Sequence, residues 1–172
     1  MTDHYRRRWV GLVFISVAVS LIIVDSTIVN VAVPSIVEDL GISSTEVQWV
    51  QEAYTLVFAS LLLLFGSLAD RFGRKRLMLV GVVVFAGSSV LAALAPTGEL
   101  LILARLVQGV GGAMILPTTL SVINATFRGR ERGIAFAVWG STIGGMAAVG
   151  PLLGGWLTTD FSWRWAFGIN IP

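Results

Sequence analysis

The sequence predicts an all-α, polytopic membrane protein with five complete transmembrane helices and the start of a sixth. Composition is the first ground: 55% of residues are hydrophobic and 13% charged, against about 25% charged in soluble domains, and the mean hydropathy is +0.83. The second is a series of apolar runs of roughly twenty residues, the length an α-helix needs to cross about 30 Å of hydrocarbon. The third is the charge of the connections between them. The N-terminal tail and two loops hold Arg6, Arg7, Arg8, Arg71, Arg74, Lys75, Arg76, Arg128, Arg130 and Arg132 against Asp3, Asp70 and Glu131. The intervening loops hold Glu38, Asp39, Glu46, Glu99 and Asp160 against Arg164 alone. Basic loops stay on the cytoplasmic side, so the alternation predicts a cytoplasmic N-terminus in a multi-pass protein of the cell membrane.

Several function classes drop out at once. There is no cysteine, hence no disulfide framework and no thiolate metal site. The single histidine, His4, lies in the tail, which removes most histidine-based catalytic and metal schemes. No enzyme, metal or cofactor is therefore expected. The basic residues are scattered over three short segments, each abutting a span, which is unlike a nucleic-acid surface.

The first span is expected over 9–33 and runs outward from the RRR tail. A cleaved signal peptide is the competing reading, but the apolar run exceeds an h-region of about 7–15 residues and carries Asp25. The second span, 47–69, returns to the cytoplasm, with Trp49 and Tyr54 near its outer end as interfacial aromatics. The third, 77–95, ends at the breaker cluster Pro96, Thr97, Gly98. The fourth, 100–123, leads to the basic RGRER loop, and the fifth, 134–157, leads outward again. The stretch 165–172 begins a sixth span.

Between the second and third spans lies GSLADRFGRKR, residues 66–76. Gly66 and Gly73 permit close backbone approach and a tight turn. Asp70 beside Arg71 offers a carboxylate that can pair within the loop or with a helix end. An ordinary positive-inside loop would look similar. The residue order, however, resembles the loop between helices two and three of the major facilitator superfamily, with Gly66, Leu68, Ala69, Asp70, Arg71, Gly73, Arg74 and Lys75 filling its pattern G-x-L-a-D-r-x-G-r-k/r. Three more stretches are similar to signatures of the fourteen-helix drug:proton antiporters within that superfamily. They are VDSTIVNVAVPSI at 24–36, RLVQGVGGA at 105–113, and GPLLGG at 150–155, which carries Gly150, Pro151, Gly154 and Gly155. WRWAFGINIP at 163–172 resembles the start of helix six. One departure is Met146, where the fifth-helix pattern usually has a glycine. The resemblance implies the first six-helix half of a major facilitator fold over 1–172, incomplete at its sixth helix, with a C-terminal half as partner.

Asp25 lies inside the hydrocarbon, where a central aspartate costs about 2.5–3.5 kcal/mol on insertion scales. Such a residue should face the bundle interior and mark a functional site; a structural ion pair is the competing reading. Arg105 on the fourth span lies at similar depth and is the expected partner, and Gln108 shares its face. Glu52 on the second span is a possible second carboxylate, or a bland water-facing one. On the fifth span Gly133, Ala137, Gly140, Gly144, Ala148, Pro151 and Gly155 recur at three- and four-residue steps. They should form one small face for close packing or for gating.

The resemblance implies proton-coupled efflux of small amphipathic or cationic compounds by alternating access, with protons and a small-molecule substrate as the exchanged species. Proton coupling is expected at Asp25, Arg105 and Gln108. A conformational loop is expected at Gly66, Asp70, Arg71, Gly73, Arg74 and Lys75, and packing and gating at Gly150, Pro151, Gly154 and Gly155. Uptake by the same fold, or a non-transporting scaffold, are the alternatives.

Overall fold

The computed structural model describes the backbone of residues 2–171 and the side chains of residues 6–171. Asp3, His4 and Pro172, which enter the sequence reading, lie outside these side chains. Among the described residues six helices follow one another: α1 Thr2–Leu40, α2 Ser44–Phe72, α3 Arg74–Ala93, α4 Gly98–Thr126, α5 Gly129–Asp160 and α6 Trp165–Gly168. The first five are long and apolar enough to cross a membrane.

α1, α2, α4 and α5 are longer at both ends than the expected spans, and α3 is shifted towards the basic loop. With 39 residues, α1 extends about 58 Å, roughly twice the hydrocarbon thickness. Hydropathy marks only the apolar part of a helix, whereas the helix itself stops where the backbone is capped. At the acidic end, Gly41 turns with a positive φ of 62°. Ser43 and Glu46 then form a reciprocal capping box that starts α2. At the basic end, Gly73 takes φ 99° between α2 and α3, a conformation that a side chain would disfavour. Thr97 caps α4 by accepting from the Leu100 backbone N–H.

α4 is the centre of the bundle. It packs along α2 on one side and α3 on the other, while α1 lies along α5 and also touches α4. Gly109 and Gly111 set these distances: an added Cβ would come within 2.7 Å of the Tyr54 carbonyl on α2 and of the Phe85 nitrogen on α3, respectively. Apolar side chains fill three layers. Leu12, Ile15, Ile123, Phe127 and Ala135 pack at the basic end. Ala18, Ile22, Tyr54, Phe85 and Ile115 pack in the middle. Ile36, Leu101, Ala104, Trp163 and Phe167 pack at the acidic end. Leu63, Val83 and Leu152 point outward and are 70–89% exposed, as lipid-facing residues would be.

Two expectations about packing need correction. Tyr54 is not an interfacial aromatic: it is buried against Arg105, whereas Trp49 is exposed. The glycines of α5 do not act as one face. Gly150 and Gly154 seat α5 on α1, where added Cβ atoms would collide with Thr27 Oγ1 and approach Ile28 Cγ1 to 2.9 Å. Around Gly133, Gly140, Gly144 and Gly155 an added Cβ would meet nothing within 4 Å. The stripe read from three- and four-residue spacing is an open face, and the contact glycines sit on another. Pro151 lies inside α5 and is exposed.

Candidate functional site

The site begins with the Arg105 guanidinium, which α4 places in the bundle interior with 2% of its side chain exposed. Its Nε donates to the Val50 carbonyl of α2 at 3.2 Å. Its Nη1 donates to Asp25 Oδ2 of α1 and, at 2.7 Å, to Gln108 Oε1. The guanidinium carbon stands 4.4 Å from the Tyr54 ring centre and 5.8 Å from that of Phe167. Aromatic faces stabilise a desolvated cation, so α2 and α6 help retain the charge that α4 carries.

Asp25 is fully buried. Its Oδ2 accepts from Arg105. Its Oδ1 accepts from Gln108 Nε2 at 2.7 Å and from Asn170 Nδ2 at 2.8 Å. Three donors and no acceptor face the carboxyl, the arrangement an ionised carboxylate requires. Ser89 of α3 closes the network: its Oγ accepts from Gln108 at 2.9 Å and from Asn170 at 3.3 Å and donates to the Phe85 carbonyl at 2.8 Å. The cluster thus joins α1, α2, α3, α4 and the segment just after α6. A buried ion pair repays its desolvation only when its remaining hydrogen-bonding positions are satisfied, and the amides of Gln108 and Asn170 do that here.

The structure brings the expected trio Asp25, Arg105 and Gln108 together. Sequence reasoning missed Ser89, Asn170, Tyr54 and Phe167. Asn170 and Phe167 lay within the WRWAFGINIP stretch, which offered a signal. Ser89, one of two adjacent serines on an apolar helix, offered none. Glu52 is separate: it is exposed and lines a cavity of about 150 Å³ with Ser26, Asn30, Gln51 and Thr55, whose wall also includes Tyr54 and Arg105.

At the basic end, Asp70 pairs within the loop, and its partner is Arg74. Arg74 donates through Nε and Nη2 to Asp70 Oδ1 at 3.1 and 2.9 Å and through Nη1 to the Ser121 carbonyl of α4 at 3.1 Å. Arg71 is exposed and lies over Phe72, and Lys75 is exposed. The Gly73 turn folds Arg74, the first residue of α3, back onto Asp70 near the end of α2, whereas Arg71 lies over the Phe72 ring. Gly66 does not make the close backbone approach expected of it: an added Cβ would sit at an ordinary 3.8 Å from Pro117 Cβ. At the acidic end, Asp39 accepts from both Arg164 and Trp163, and Arg164 also donates to the Ala95 carbonyl, tying α1 to the segment before α6. Hydrogen bonds from Arg164 and Trp163 account for the only basic residue among the acidic loops.

A family profile described as Major Facilitator Superfamily matches residues 2–172. The chain belongs to the major facilitator superfamily. It is thus a multi-pass membrane protein of a transporter family. Among its relatives, the puromycin resistance protein of Streptomyces alboniger is 50% identical over 167 residues, covering 96% of this chain and 33% of that protein. The multidrug efflux pump LfrA of Mycolicibacterium smegmatis is 44% identical with the same coverage. The methyl viologen resistance protein SmvA of Salmonella typhimurium is 40% identical, covering 96% of this chain and 34% of that protein. The chain spans about a third of the length of these major facilitator relatives. A crystal structure of a bacterial homologue of the lysosomal transporter Spinster, inward-facing and unoccupied, superposes with a TM-score of 0.78 at 20% identity. That match covers 99% of this chain and 40% of the other, and it carries the fold.

Proposed function

We propose that this chain is the first half of a proton-coupled exporter of small amphipathic or cationic compounds, and that Asp25 is the group that takes up and releases the proton. The observation that carries the reading is the buried Asp25–Arg105 pair. An ionised carboxylate with no solvent exposure, at the centre of an apolar bundle, is costly to maintain and marks a proton or ion pathway more often than a structural need. The names of the relatives, with their puromycin, multidrug and methyl viologen resistance or efflux, supply the substrate class.

In this mechanism the charged carboxylate is held by Arg105, Gln108 and Asn170 while substrate occupies the pathway. A proton arriving from outside neutralises Asp25, loosens its grip on Arg105 and lets the helices of the half shift against a C-terminal half. Arg105 stays charged throughout and keeps the site polar. The basic end, with Arg74, Asp70 and Ser121, is the cytoplasmic end and fastens α2, α3 and α4 together in one state. The end bearing Asp39 and Glu46 faces outward, and the membrane is the cell membrane.

The test uses the full-length protein in inside-out vesicles acidified internally. Added methyl viologen should accumulate and partly dissipate the proton gradient. Absence of accumulation, or accumulation only in right-side-out vesicles, would overturn export in favour of uptake or of no transport.

A further inference from the structure

Among the described residues of the buried network, two polar atoms have no partner, Tyr54 Oη and Asn170 Oδ1, and only the second belongs to a side chain bonded to Asp25. Asn170 is 2% exposed, its Nδ2 donates to Asp25 Oδ1 and Ser89 Oγ, and its Oδ1 accepts nothing. A buried acceptor left empty is unfavourable, yet the charge of Asp25 leaves the amide no choice, because an ionised carboxylate can only accept. Protonation reverses the requirement. A carboxylic acid must donate its O–H, and every other group on the carboxyl is a donor: Arg105 on Oδ2, and Gln108 on Oδ1. Turning the Asn170 amide by a half-turn about its last side-chain bond brings Oδ1 to where Nδ2 stands and supplies the missing acceptor.

We propose that Asn170 reads the protonation state of Asp25 by reversing its amide, and so links the proton to the segment that follows α6. The proposal rests on the reading of Asp25 as the proton site. In the charged state the Nδ2–H donates to Asp25 Oδ1. When a proton binds at Oδ1, that O–H donates to Asn170 Oδ1, and Arg105 keeps its bond to Oδ2. Ser89 loses the Asn170 donor but retains that of Gln108, and its hydroxyl is free to turn from the Phe85 carbonyl towards Asn170 Oδ1. In either orientation one amide atom lacks a partner, so reversal adds no further unsatisfied group.

Among the described residues, the charged or titratable groups around Asp25 are Arg105 of α4 and Tyr54 of α2, with Glu52 across the small cavity that both line. α3 and the segment after α6 present Ser89 and Asn170, which do not titrate. α5 presents Gly150 near the Val24 carbonyl. The pH response of the amide is therefore that of the Asp25–Arg105 pair.

The test is nuclear magnetic resonance of the full-length protein in nanodiscs, with ¹⁵N-asparagine and carboxyl-¹³C-aspartate. The Asn170 amide signals are assigned by their loss in Asn170→Asp, and the Asp25 carboxyl by its loss in Asp25→Asn. Both should move with one pH midpoint, and the Asn170 signals should cease to move in Asp25→Asn. An Asn170 amide that stays fixed while the Asp25 carboxyl titrates would overturn the inference and leave the proton site standing. A carboxyl that does not titrate over the pH range of transport would remove the proton site and the inference together. In transport, Asn170→Leu, similar in shape but without donor or acceptor, should lower the rate of coupled exchange about tenfold with apparent substrate affinity within about twofold, the scale of one buried hydrogen bond. Unchanged exchange would also overturn the inference.

Discussion

Replacing Arg105 with lysine keeps the charge and removes the geometry. In the structure the guanidinium makes three hydrogen bonds in different directions, to Asp25, Gln108 and the Val50 carbonyl, and lies against the Tyr54 ring. An ammonium on a flexible stem can hold Asp25, but it cannot also reach Gln108 Oε1 and the Val50 carbonyl. Leaving the buried Gln108 oxygen without a donor costs about 1–3 kcal/mol, and weakening the contact with the ring adds about 0.5–1 kcal/mol. The sum, about 1.5–4 kcal/mol, lowers the population of the assembled network roughly ten- to several-hundredfold. The assay is substrate-driven proton exchange by the full-length protein in proteoliposomes, with insertion checked by size-exclusion chromatography and thermal unfolding. Arg105→Lys should insert normally and lose about a hundredfold in turnover. Turnover within threefold of the wild type would show that only the positive charge matters and would refute the argument from geometry.

Three further outcomes follow from the packing and the charged ends. Gly150→Val, which drives a side chain into Thr27, should lower the midpoint of thermal unfolding clearly, since overpacking costs about 1–3 kcal/mol; Gly144→Ala, inside α5 with open space around it, should not lower the midpoint. Arg74→Ala should slow turnover severalfold by releasing α4 from the α2–α3 turn, whereas Arg71→Ala should not; equal effects of the two would assign the loop a topological role alone. A cysteine replacing Arg130 should resist a membrane-impermeant thiol reagent in intact cells and react after permeabilisation; labelling in intact cells would reverse the assigned sidedness.

Much of the fold was legible because the bilayer simplifies the code. Apolar runs of membrane length gave five helices. The helix ends were less legible: α1 continues well beyond its apolar run to Leu40, where Gly41 and the Ser43–Glu46 box stop it. Asp25 and Arg105 were readable as a pair because each is a rare charge in hydrocarbon at matching depth. Depth does not, however, reveal rotation about a helix axis. That is why Tyr54 was assigned to the interface, the basic residue that pairs with Asp70 was left open, and the α5 stripe was taken for the contact face. Ser89 was hidden for a related reason: a neutral polar residue in a membrane helix is common, and only three-dimensional convergence on Asp25 distinguishes it, whereas Asn170 lay in a recognisable stretch that did not say what it would touch.

The proton's binding site decides the mechanism. Full-length wild-type and Asp25→Asn proteins, each reconstituted in proteoliposomes, can be compared for proton release on addition of substrate across a pH series. The asparagine variant should insert and retain its fold, because Gln108 and Asn170 still offer amide partners, but release no protons when substrate is added. Proton release by Asp25→Asn with an unchanged pH dependence would contradict the account and move coupling to another carboxylate, with Glu52 the first to replace.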